Sequence, residues 1–108
     1  MRRRDYLGSL ELIVLLTVMR TGRRASGFPI AREIQVAGGR TVALGGICTT
    51  LSRLEQNGLL RSELGQPTTQ RGGQAKTFFS LTDQGLQEVR EIQVALTNLW
   101  GGLPELKS

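Results

Sequence analysis

Residues 44–58 read LGGICTTLSRLEQNG, residues 59–82 read LLRSELGQPTTQRGGQAKTFFSLT, and the junction between them decides the fold. In the first stretch Leu44, Ile47, Leu51 and Leu54 recur at spacings of three, four and three. A helix puts all four on one inward stripe, and Gly58 offers a left-handed stop. At about 100° per residue the opposite face carries Gly45, Thr49, Ser52, Arg53 and Gln56, with Gly46, Cys48 and Thr50 on its flanks. That face is small, polar and basic. In the second stretch, residues 59–64 and 76–81 alternate or cluster in strand fashion, and residues 65–75 between them contain Pro67, Gly72 and Gly73. They predict a hairpin with a long loop that carries Arg71 and closes on Lys76.

A helix of this kind followed by such a hairpin reads as the recognition helix and wing of a winged helix-turn-helix domain. Small residues let a helix sit deep in the major groove, while Ser, Thr, Gln and Arg offer donors to base edges and phosphates. The candidate DNA-binding residues are therefore Gly45, Gly46, Thr49, Thr50, Ser52 and Arg53 on the helix, with Arg71 and Lys76 on the wing. Each has a plainer reading. Arg53 could be a solvated charge beside Glu55 and Gln56, and Arg71 a loop charge. Arg2, Arg3 and Arg4 read as a disordered tail rather than as a groove-reading arm, and Cys48 as a small packed thiol.

Working outward, Ser9 is the expected cap of a first helix, with Glu11 in its first turn, running to Arg20 and stopping at Gly22. Leu10, Leu12, Ile13, Val14, Leu15, Leu16, Val18 and Met19 cover nearly its whole circumference. A helix greasy all round is expected to be buried all round, one side in the domain and the other against a second subunit. The alternative is a helix at the centre of a compact monomer. A short second helix is expected from Phe28-Pro29 through Ile30 and Ile34 to Gly38-Gly39, and Thr41-Val42 as a minimal third strand. Thr82 is placed to cap a last helix with Asp83 in its first turn. Val89, Ile92, Leu96, Leu99 and Leu103 follow at spacings of three, four, three and four, beside Leu86 and Trp100. The seam is too short for an independent coiled coil. It predicts a packing helix in a dimer, with Leu12, Leu15, Leu16, Val89, Ile92, Leu96, Leu99, Trp100 and Leu103 at the interface.

Composition narrows the class. The 108 residues predict one domain, about 7–81 winged helix-turn-helix and about 82–103 dimerisation helix, mainly α with a small β-hairpin. Fourteen Lys and Arg face nine Asp and Glu; residues 1–80 hold twelve basic and five acidic side chains, residues 81–108 two and four. A basic front and an acidic tail suit a polyanion-facing module joined to a segment with another task. Twelve of the fourteen basic residues are Arg, which suits bidentate contact with phosphate or guanine. One cysteine and no histidine argue against an internal disulfide, a Cys/His metal site and imidazole catalysis, so no catalytic residue, metal or cofactor is expected. The apolar run Leu12 to Met19 is short of the roughly 20 residues a bilayer needs, and Asp5 and Glu11 argue against a signal peptide. No membrane partner is expected, and the location is cytoplasmic, at the nucleoid.

Taken together, the chain resembles the PadR family of bacterial transcriptional regulators over about residues 7–100. The likeness lies in Leu7-Gly8, Gly27-Phe28-Pro29-Ile30, Leu44-Gly45-Gly46-Ile47, Thr50-Leu51-Ser52-Arg53-Leu54-Glu55, Gly58-Leu59, Gly72-Gly73, Lys76, Phe78-Phe79, and Leu81-Thr82 with Gly85. The resemblance implies a homodimeric repressor on an inverted-repeat operator of double-stranded DNA, whose C-terminal helix packs on the first helix of its partner. The chain looks like a short member with one C-terminal helix. It departs from the family at Cys48, where Tyr is usual, and at Phe79, where Tyr is frequent.

Three functional readings stand at this point. They are a sequence-specific transcriptional regulator, a winged helix used only for protein interaction, and a sensor in which Trp100 and its dimer mate take a flat apolar small-molecule effector. The front-loaded charge and the small, basic helix face favour the first over the second, since a protein-docking face would carry aromatic or aliphatic anchors.

Overall fold

The computed structural model describes residues 7–22, 25–65 and 76–104. Along the chain come α1 (Ser9–Thr21), α2 (Gly27–Gly38), α3 (Leu44–Gln56), β1 (Leu60–Leu64), β2 (Thr77–Leu81) and α4 (Asp83–Trp100). This is the mainly α architecture with a β-hairpin that the pattern of apolar residues predicts.

Three helices form the core. Val14, Leu15 and Val18 of α1, Ile30 and Ile34 of α2, and Ile47, Leu51 and Leu54 of α3 are buried together with Ala25, Leu59, Leu60 and Val89 of α4. Burying each large aliphatic side chain contributes about 1.5–3 kcal/mol, so these residues fix how α3 is presented. Glu11, not a serine side chain, closes the start of α1: Gly8 is the cap and its N–H donates to Glu11 Oε1 at 2.9 Å, while Ser9 is the first helical residue. α2 ends on left-handed Gly39.

β1 and β2 pair antiparallel with Leu60 opposite Leu81 and Leu64 opposite Thr77. Among the described residues the sheet has two strands, and the expected strand at Thr41-Val42 is absent. Val42 instead packs its side chain against the core. The third place is taken by Ala25, whose carbonyl accepts from the Phe79 N–H at 2.7 Å.

The corner between α3 and the hairpin is tied to the start of α4. Gly58 has φ +83°, a conformation that lets the chain reverse after Asn57. Thr82 Oγ1 donates to the Gly58 carbonyl at 2.6 Å and accepts from the Gly85 N–H at 3.0 Å, so one hydroxyl caps α4 and holds the corner. The Thr82 N–H donates to Leu59 O at 3.1 Å. Gly85 is required by contact: a Cβ there would lie 2.1 Å from the Leu59 carbonyl oxygen.

α1 is buried on one side only. Val14, Leu15, Thr17 and Val18 face the core, while Ile13, Leu16 and Met19 are exposed. The other side is left open within one chain, so α1 is not the centre of a compact monomer, the alternative the sequence allowed.

Candidate nucleic-acid interface

The stripe that seats α3 turns its opposite face outward. Gly45, Gly46, Thr49, Ser52, Arg53 and Gln56 are all exposed. A Cβ built on Gly45 or Gly46 meets nothing within 4 Å, so packing inside this chain does not require glycine at either position. Their effect is to leave the backbone of the first turn open to close approach from outside.

Two carboxylates orient the end of the helix. Glu55 Oε2 accepts from the Ser62 hydroxyl at 2.6 Å, joining α3 to β1. Arg53 Nη1 lies 3.9 Å from Glu11 Oε2 on α1. The partner of Arg53 is thus neither of the neighbours Glu55 and Gln56 that sequence proximity suggests. Glu11 is the residue that sequence reasoning missed here; its place in the first turn of α1 shows, but its reach to α3 depends on how two helices pack.

Thr50 leaves the candidate set. It is 4% exposed and its hydroxyl donates to the Gly46 carbonyl at 2.8 Å, because it sits on the core side of the helix between Ile47 and Leu54. Leu44, expected inside, is 45% exposed, with its side chain beside the start of α2, 3.4 Å from where a Cβ on Gly27 would be. Cys48 is exposed, not packed away. Its sulfur lies beside Gly27, 3.4 Å from where a Cβ on that glycine would be.

On the wing, Lys76 is exposed at the mouth of the hairpin, where its carbonyl accepts from the Gly65 N–H at 2.7 Å. The hairpin therefore holds Lys76 on a fixed base. Arg71 lies outside the described residues, as does the Arg2 to Arg4 arm.

A second feature lies away from this face. α1 and α4 enclose an open apolar groove of about 350 Å³, with Val89 and Ile92 as its floor and Leu12, Leu16, Leu96 and Trp100 around them. Met19 lines it too, a residue left out of the expected interface although Leu12, Leu16 and Met19 share one helical stripe. Leu15, by contrast, is fully buried in the core of its own chain and cannot reach a partner. Leu99 and Trp100 are 70% and 54% exposed at the end of α4, and Leu103 is exposed just beyond it. Among the described residues, no helix is long and apolar enough to cross a membrane.

No family model matches the chain, and no curated protein sequence does. Solved structures do. A PadR family transcriptional regulator from Eggerthella lenta superposes with a TM-score of 0.69 at 26% identity, over 92% of this chain and 81% of that one. A PadR-like transcriptional regulator from Bacillus cereus gives 0.72 at 20% identity, over 90% and 89%. Bacillus subtilis PadR in complex with operator DNA gives 0.66 at 22% identity, over 81% of this chain but 48% of that longer one. The chain therefore has the PadR-like winged-helix fold, as the ordered motifs from Leu7 to Gly85 led one to expect.

Proposed function

We propose that this chain is a DNA-binding transcriptional regulator, a repressor that acts as a homodimer on an inverted-repeat operator. The observation that carries the reading is the outer face of α3. Gly45, Gly46, Thr49, Ser52 and Arg53 form an exposed, small and basic surface on a fold shared with a regulator solved on its operator. Thr49 and Ser52 offer donors and acceptors to base edges and Arg53 and Lys76 meet phosphates, with Arg71, which lies outside the described residues, expected from the sequence alone to add a further contact. The same surface disfavours a purely protein-docking role, since its centre holds small polar groups where hot spots need large anchors. Regulation by binding, with no chemical step, accounts for the site without an enzymatic role, and a cytoplasmic, nucleoid-associated location follows from the target.

The dimer is supported by the groove between α1 and α4. A channel floored by Val89 and Ile92 and edged by Leu16, Leu96 and Trp100 is the place for the equivalent helix of a second copy. Exposed apolar side chains at this density mark an association surface. The two α3 helices must then lie about 34 Å apart, or a multiple of that, to enter successive major grooves on one side of a duplex. Selection of bound duplexes from a random pool, followed by mobility shifts on the selected and scrambled sequences, tests the proposal. Enrichment of a palindromic motif is the expected result, and retention of the pool without a preferred sequence would count against it.

A flat apolar effector is a compatible addition. Trp100 stands half out of the groove, where an aromatic ligand would stack on it. Quenching of its fluorescence by planar dyes, with a saturable curve at one ligand per dimer, is the expected signature; a linear, unsaturable response would remove the effector reading.

A further inference from the structure

Glu11 stands in the first turn of α1, and its carboxylate bridges two elements. Oε1 accepts from the Gly8 N–H at 2.9 Å and Oε2 lies 3.9 Å from Arg53 Nη1 on α3. The two partners are unequally placed: the side chain of Glu11 is 16% exposed, that of Arg53 55%. The N–H groups at the start of a helix carry partial positive charge and stabilise a carboxylate placed among them. Glu11 is therefore the anchored member of the pair. Arg53, reaching in from solvent, is the member with freedom to leave.

We infer that Glu11 is an internal competitor for the Arg53 guanidinium, holding it in the free protein until a phosphate displaces it. This rests on the reading of α3 as the DNA-facing helix. The separation matters, because 3.9 Å is beyond hydrogen-bond length and leaves a loose, Coulombic pair. A phosphate offers the same guanidinium two parallel hydrogen bonds, a better partner than a carboxylate at that distance. The exchange lowers the affinity of every polyanion for Arg53 by the strength of the contact given up. It makes Glu11 a tuning residue of the interface: one that touches no DNA and acts through Arg53.

Three variants read this out: Glu11→Gln, Arg53→Ala and the double substitution. The Gln side chain keeps an oxygen for the Gly8 N–H, so the start of α1 retains its cap while the charge is lost. Binding is measured by anisotropy on the selected duplex, a scrambled duplex and a labelled heparin oligosaccharide between 50 and 200 mM salt. Glu11→Gln is expected to tighten all three complexes by about two- to thirtyfold, the range of two surface ion pairs per dimer, and to do nothing in the Arg53→Ala background. Unchanged or weaker binding by Glu11→Gln overturns the inference. So does equal tightening with and without Arg53, which would make Glu11 a bare repulsive charge.

Failure of the DNA reading looks different. Wild-type protein that binds heparin but neither duplex refutes the DNA reading, while the Glu11–Arg53 coupling is still measured on heparin. Binding to none of the three refutes both. Should Glu11→Gln prove unfolded in a thermal melt, Glu11→Asp serves in its place: it keeps the charge, withdraws it from Arg53 by one carbon, and must show the same loss of coupling.

Discussion

Replacing Arg53 by Ala removes one positive charge from each copy of the α3 face and nothing from the core. The side chain is 55% exposed and its ion pair with Glu11 spans 3.9 Å, so the folded state should lose no more than about 0.5 kcal/mol. Binding is another matter. Each phosphate neutralised contributes about 0.9 to the slope of log K against log salt, and a dimer brings two copies of Arg53, so the variant's slope should be shallower by about 1.8. Between 50 and 200 mM salt, a fourfold interval, the wild type would then lose about 12-fold more affinity than the variant. Anisotropy titrations on the selected and scrambled duplexes measure both slopes, and a melt confirms that the fold is intact. A contact with phosphate alone must change the two duplexes alike. An unchanged slope would refute the phosphate contact, and a loss confined to the selected duplex would move Arg53 to a base edge.

Thr49→Glu puts a negative charge at the centre of the exposed α3 face; it should leave the melt and the dimer unaltered and abolish preference for the selected duplex in mobility shifts, while a stable dimer that still prefers it would discredit α3 as the reading helix. Leu96→Glu places a carboxylate in the α1–α4 groove and should yield monomer or aggregate by light scattering, and an unchanged dimer would mean the groove is not the interface. Gly85→Ala drives a methyl to 2.1 Å from the Leu59 carbonyl, forcing α4 off the corner at a cost of about 1–3 kcal/mol, so the melt should fall by about 4–8 °C for each kcal/mol. Leu51→Ala empties a buried site in the core and should cost about 2–5 kcal/mol in urea unfolding.

How much of this could be read from the sequence depends on how local each signal is. The α3 stripe from Ile47 through Leu51 to Leu54, the stop at Gly58 and the Thr82 cap each rest on contacts within a few residues, and the structure keeps them, with Thr82 Oγ1 accepting the Gly85 N–H, while Leu44 at the first turn falls outside the buried stripe. The third strand fails for the opposite reason. Thr41-Val42 has the right side chains for a strand, but pairing is decided by which segment runs alongside β2, and that segment is Ala25. β-propensity describes what fits a pleated surface and carries no information about which surface is near.

The errors at the candidate sites have one physical source, the angular resolution of a helical wheel. Thr50 stands next to Leu51 in sequence and within the arc that Ile47 and Leu54 bury, and a face drawn one residue too wide turns a satisfied core hydroxyl into a DNA contact. Leu15 fails in the same way on α1. Every residue from Leu12 to Leu16 is apolar, so hydrophobicity could not say which side was which; only packing against α2 and α3 separates buried Leu15 from exposed Leu16. Polarity marks a face sharply where it changes, as on α3 between Leu51 and Ser52, and not at all where the helix is uniform. The same limit explains Glu11. A carboxylate in a first turn has a sufficient local reason to be there in the helix N–H groups, and its second partner, Arg53, becomes visible only when α1 crosses α3. Residues that serve a local and a distant contact at once are thus the ones for which sequence reading stops at the local reason, and at this interface Glu11 is the one whose distant contact touches binding.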